Sequence, residues 1–91
     1  MNTDKVWTSE KVLIPAIIQD ANTKSVLMLG YMNKDSYIKT LETKKVTFFS
    51  RSRQCLWTKG ETSGNFLNYI SSEIDCDKDT VLFEVKQTGA A

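Results

Sequence analysis

Three carboxylates and one thiol alternate along Asp75-Cys76-Asp77-Lys78-Asp79. In an extended segment, side chains two apart share a face at roughly 6–7 Å. Asp75, Asp77 and Asp79 then form a row of oxygens, and Cys76 points the other way. Oxygen rows suit hard cations such as magnesium, whereas a thiolate suits zinc. The chain has no histidine and one other cysteine, Cys55. A single thiolate does not hold zinc, which usually takes three or four protein ligands.

The stretch has bland readings as well: a solvated acidic turn, with Cys76 as a small buried hydrophobe. A calcium-binding helix-loop-helix is excluded. Its loop needs glycine at position six and glutamate at position twelve, where Thr80 and Lys86 stand.

Two further segments carry usable chemistry. Trp57-Thr58-Lys59-Gly60-Glu61-Thr62-Ser63-Gly64-Asn65 combines a stacking surface, a cation, a carboxylate and the Thr62 and Ser63 hydroxyls with two glycines. Glycine permits positive φ and close approach of a ligand, and successive backbone N–H groups can form an anion nest. Lys59 suits a phosphate, Glu61 a proton transfer or a ribose hydroxyl, and Trp57 a base. The alternative is a hairpin loop beside a core tryptophan. The glycine and lysine spacing is not that of a Walker loop. In Ser50-Arg51-Ser52-Arg53, two arginines one residue apart would share a strand face and could grip a phosphate. They would equally make a solvated, aggregation-resistant edge strand.

The elements that must position these groups are mostly strands. Residues 12–18 are rich in β-branched side chains, with Pro15 favouring an edge or a bulge. Asp20-Ala21-Asn22-Thr23 is turn-forming, and residues 25–32 complete a hairpin with a four- or five-residue loop. Asn33 is placed to cap a helix over 34–43. Asp35 suits its first turn and Lys44 its last, with Tyr37, Ile38 and Leu41 as the apolar stripe. Residues 46–51, 54–59, 65–73 and 80–85 read as four more strands. The fold class is therefore α+β, mostly β, and the tight strand spacing argues against βαβ crossovers.

Ninety-one residues with net charge +1, 41% hydrophobic and 25% charged, describe one ordinary domain with a modest core. The charge gives no argument for nucleic acid or an acidic membrane, and no apolar run approaches the roughly 18 residues of a span. The N-terminus lacks a signal-peptide core. Reduced thiols and a cytoplasmic location are expected. A small core makes oligomerisation a natural source of further burial.

Taken in order, Leu13-Ile14-Pro15-Ala16, Val26 to Met32, Phe49 to Arg53, Leu56 to Asn65 and Asp75 to Asp79 resemble phosphoribosyl-AMP cyclohydrolase of histidine biosynthesis, from about Leu13 to Gly89. The resemblance implies a compact, strand-rich, barrel-like fold with one main helix and an intertwined homodimer. It implies magnesium at Asp75, Asp77 and Asp79, and zinc at Cys76, shared between subunits and completed by two cysteines of a Cys-His segment. Gln87 to Ala91 aligns just before that segment, so the expected catalytic histidine lies beyond Ala91 and the natural chain is expected to continue, in many bacterial members into a pyrophosphohydrolase domain. The implied reaction is hydrolytic opening of the adenine ring at N1–C6. Arg51, Arg53, Trp57, Lys59, Glu61, Thr62, Ser63 and Asn65 are the expected substrate contacts. The alternative is a truncated or non-catalytic homologue that folds, dimerises and binds nucleotide without turnover.

Overall fold

The structure, a computed structural model, describes residues 13–75 and 79–88. Its strands are β1 (Ile14–Asp20), β2 (Val26–Met32), β3 (Thr47–Ser50), β4 (Cys55–Thr58), β5 (Leu67–Ile74) and β6 (Val81–Gln87), with α1 (Lys34–Thr43) between β2 and β3. Four strands form one sheet in the order β2-β1-β6-β5, and β3 pairs with β4 separately. The expected barrel does not close among the described residues, because β2 and β5 remain edges of an open sheet.

β1 and β2 pair antiparallel, from Ile14↔Met32 to Gln19↔Val26. The turn between them is held by the Asp20 carboxylate, which accepts the N–H groups of Asn22 (3.0 Å) and Thr23 (2.7 Å). Those bonds, that from Thr23 foremost, lower the Asp20 pKa from its ordinary value. Against expectation, the proline-bearing strand β1 is interior. Pro15 is tolerated because the β6 ladder begins one residue later, at Ala16↔Val81; the bulge falls at Ile18/Gln19. β1 and β6 run parallel. No βαβ unit makes this pair: it joins the first and last described strands across all the intervening chain.

Alternation places Ile14, Ala16 and Ile18 of β1 beside Val81, Phe83 and Val85 of β6, all buried. Phe83 meets Tyr37 and Tyr69 edge-on at 5.8 and 5.9 Å between ring centres.

Helix α1 starts as expected. The Asn33 side chain accepts the Ser36 N–H at 2.8 Å, and the Ser36 hydroxyl accepts the Asn33 N–H at 2.9 Å. It spans 34–43 as expected, but the place of Lys44 and the inner face differ from expectation. Lys44 is the C-cap at φ 65°, one residue past the last turn. Ile38 is exposed, while Ser36 and Thr40 are buried beside Tyr37. The reason is polar: the Thr40 hydroxyl accepts the Thr47 N–H (2.9 Å) and donates to the Ser36 carbonyl (2.9 Å). A buried backbone donor at the start of β3 is thus satisfied from the helix. No helix among the described residues is long and apolar enough to cross a membrane.

Candidate functional site

The β3–β4 pair is the platform for the site. Phe48 faces Trp57 in register, with ring centres 5.1 Å apart and planes tilted by 34°. Phe48 is fully buried. It fits because Gly30 of β2 has no side chain: a Cβ there would lie 2.5 Å from the Phe48 ring. The sequence signals this contact only through a lone glycine inside a strand pattern. Trp57 is half-buried, so one face packs on the core and the rest borders a cavity.

That cavity, of about 580 Å³, is lined by Ser50 at the end of β3, Ser52 and Arg53 from the β3–β4 turn, Trp57 and Thr58 at the end of β4, and Lys59, Gly60, Glu61, Thr62 and Ser63 beyond it. Its size is ordinary for a small-molecule site. Arg53 and Lys59 against Glu61 give it an excess of positive charge, suited to an anionic ligand.

The loop holding these groups is shaped by its own hydrogen bonds. The Lys59 N–H reaches the Val46 carbonyl (3.1 Å), Glu61 N–H the Thr58 carbonyl (3.1 Å), Gly64 N–H the Gly60 carbonyl (2.6 Å) and Asn65 N–H the Ser63 hydroxyl (3.2 Å). Three of its backbone donors therefore serve the loop itself and a fourth is taken by Val46, just before β3, so recognition of an anion falls more on side chains than a backbone nest would require. Gly60 adopts φ +94°, and a Cβ would stand 2.5 Å from the Asn65 carbonyl oxygen. The loop is not a hairpin connection, since β4 pairs with β3 and β5 with β6. It crosses between the two sheets.

Not every expected contact gathers at this cavity. Asn65 lines a neighbouring cavity of about 720 Å³ with Val26, Leu27 and Met28; Lys59 and Ser63 border both. Arg51 lies elsewhere. Residues 51–54 form a turn, not a strand, so the two arginines do not share a strand face. The Arg51 guanidinium carbon sits 4.5 Å from the centre of the Tyr31 ring.

The acidic stretch is described only at its ends. Asp77 and Cys76 lie outside the described residues. Asp75 and Asp79 close the β5–β6 connection: Asp75 N–H reaches the Thr80 carbonyl (3.0 Å), and Asp75 Oδ1 accepts from Asp79 N–H (2.9 Å) and Thr80 N–H (3.1 Å). These two carboxylates are exposed and have the oxygen chemistry of a hard-cation site. For zinc, the described residues do not fit: Cys55 is exposed on β4, the chain contains no histidine, and no group of three or more potential ligands occurs among the described residues.

Comparison with known proteins bears on this arrangement. The family model for phosphoribosyl-AMP cyclohydrolase matches residues 28–91. The histidine biosynthesis bifunctional protein HisIE of Bacteroides thetaiotaomicron is 61% identical over 77 residues, which cover 85% of this chain and 38% of that protein. The protein of the same name from Haemophilus influenzae is 54% identical over 91 residues, covering 99% and 41%. The phosphoribosyl-AMP cyclohydrolase of Bacillus cereus is 59% identical over 81 residues, covering 89% and 80%. The chain thus spans about two fifths of the length of the bifunctional relatives and most of the shorter one. On the extent of that family match and on these identities, the chain belongs to the phosphoribosyl-AMP cyclohydrolase family.

Proposed function

We propose that this chain carries the phosphoribosyl-AMP site of a cyclohydrolase acting in histidine biosynthesis. The observation that supports it best is the cavity that joins the Trp57 ring to Arg53, Lys59, Glu61, Thr62 and Ser63. A nucleotide with phosphates at both ends needs an aromatic surface for its base and cations for its phosphates. In this reading Trp57 takes one face of the purine, and Arg53 and Lys59 hold a phosphate with help from the Thr62 and Ser63 hydroxyls. Asn65 and Lys59 extend the polar contacts towards the neighbouring cavity. Water adds at C6, the N1–C6 bond breaks and N1 takes up a proton. Glu61 is the cavity's carboxylate and is proposed to carry a proton or to bind a ribose hydroxyl.

Two metals belong to the same proposal. Asp75, Asp77 and Asp79 would hold magnesium, whose chemistry is to neutralise phosphate charge. Zinc is proposed at Cys76 on the resemblance alone; when bound it would acidify a water, bringing its pKa to about 7. No step is assigned to zinc, because the described residues do not supply its ligand set. A second copy of the chain is the proposed partner, on the strength of apolar side chains exposed on the sheet-edge strands β2 and β5.

The test is a ring-opening assay with phosphoribosyl-AMP on the full-length native protein, with metal analysis of the same sample. Turnover is expected, with Lys59→Ala raising KM roughly ten-fold or more through loss of a charged hydrogen bond. Full-length protein with bound zinc that leaves phosphoribosyl-AMP intact would overturn the proposal.

A further inference from the structure

The two arginines of the β3–β4 turn face different surroundings. Arg53 lines the cavity; Arg51 is not among its lining residues. Arg51 instead lays its guanidinium on Tyr31 of β2, at 4.5 Å, a distance well inside the range of a cation–π contact. The turn between them is otherwise thinly anchored. Residues 51–54 are all exposed. Within the turn, Arg53 N–H donates to the Ser50 hydroxyl at 3.2 Å, and the Gln54 side-chain amide donates to the Arg51 carbonyl at 2.7 Å. Gln54 sits at φ 53°, in the left-handed region where a non-glycine residue is strained. The β3–β4 ladder holds the base of the turn within its own two-stranded sheet, and the stacking of Arg51 on Tyr31 of β2 reaches from the turn to the main sheet.

We propose that Arg51 is a positioning residue for the anion site: by seating on Tyr31 it fixes the 51–54 turn so that Arg53 meets the phosphate of the ligand. This deepens the cyclohydrolase reading and rests on it for the ligand's identity. The alternative is that Arg51 grips a phosphate itself, and the two roles separate cleanly. A direct phosphate contact depends on Arg51 and on salt, and is indifferent to Tyr31. A positioning contact depends on the ring as much as on the cation.

The probe is adenosine 5′-monophosphate, titrated into the chain and its variants at several salt concentrations. Arg51→Ala and Tyr31→Leu should each weaken binding roughly two- to five-fold, the worth of an exposed cation–π contact. The double variant should be no weaker than either single one. Tyr31→Phe keeps the ring face and should restore native affinity. Arg53→Ala should weaken binding roughly ten-fold or more and flatten its salt dependence, whereas Arg51→Ala should leave the salt dependence parallel to the native chain. Native affinity in Tyr31→Leu together with a flattened salt dependence in Arg51→Ala would overturn the positioning role. A ligand-free arm keeps the two proposals apart. In NMR spectra the Arg51 side-chain protons should show an upfield ring-current shift that Tyr31→Leu abolishes, together with movement of the Ser52, Arg53 and Gln54 amides. Absence of that shift overturns the assignment. Failure of the native chain to bind adenosine 5′-monophosphate, with the ring-current shift present, counts against the nucleotide reading while the anchoring of the turn by Tyr31 stands.

Discussion

Two glycines of the site loop carry positive φ, but they are not equivalent. Gly60, at φ +94°, has the Asn65 carbonyl oxygen 2.5 Å from where a Cβ would be. Backbone atoms cannot swing aside as a side-chain tip can, so alanine there meets both torsional strain and a collision. Gly64, at φ +81°, opens on empty space, and alanine meets strain alone. Gly60→Ala should therefore cost about 2–4 kcal/mol and Gly64→Ala about 1 kcal/mol, read as a difference in urea midpoint at unchanged slope. Equal losses would contradict this distinction. From the sequence both glycines were legible as conformational devices, but not which was confined, because that depends on where Asn65 returns in space. The cavity's side chains were legible in the same partial way. Trp57, Lys59, Glu61, Thr62 and Ser63 are near neighbours in sequence and meet through local geometry. The spacing of Arg51 and Arg53 puts them on one face only in a strand; the chain turns there instead, and Tyr31, distant in sequence, takes Arg51.

At the scale of the element, helix α1 is docked by a mixed face. Thr40 serves the β3 backbone, and Tyr37 is fully buried against Phe83 with its hydroxyl 3.4 Å from the Ser72 hydroxyl of β5. Its start was readable because a cap is a local pattern, Asn33 with Ser36. The inner face was not, since helical periodicity points to an apolar stripe and two of the docking residues, Ser36 and Thr40, are polar. Burial raises the Tyr37 pKa above the ordinary value of 10.0, because removing water disfavours the phenolate. The unfolded chain therefore gives up this proton at a lower pH than the folded one. The associated stability is fully present below about pH 10 and is lost as pH rises through the higher folded-state value. Tyr37→Phe removes the ionisable group and leaves Ser72 bonded to the Tyr69 hydroxyl at 3.1 Å. Its stability relative to the native chain should thus be constant up to about pH 10 and improve above it. Chemical denaturation at pH 8, 10 and 11 measures this difference, and a pH-independent gap would remove Tyr37 from the alkaline response.

Across the whole molecule, the pairing of β1 with β6 decides the architecture, and it is the feature least visible in the sequence. Each strand was legible by its own alternation, but nothing local says that the first described strand lies parallel to the last. That choice places Ala16, Ile18, Phe83 and Val85 in one buried layer and turns β2 and β5 into edges. It has a consequence for assembly. Val26 and Leu29 of β2 are 66% and 53% exposed, and Ile70 of β5 is 54% exposed. Edge strands that remain apolar invite pairing and are usually blunted by charge when a protein stays monomeric. In the proposed homodimer these side chains lie against the second copy. Sedimentation equilibrium should then show reversible dimers. Leu29→Lys should weaken self-association by about ten-fold or more, since each dimer loses the burial of two leucines, while the far-ultraviolet circular dichroism stays unchanged because the side chain packs little within its own chain. A native chain that sediments as a monomer into the hundred-micromolar range would exclude the homodimer itself, whereas a Leu29→Lys variant that dimerises as tightly as native would exclude only β2 as the covering surface and leave β5, with Ile70, as the edge to probe by the same substitution.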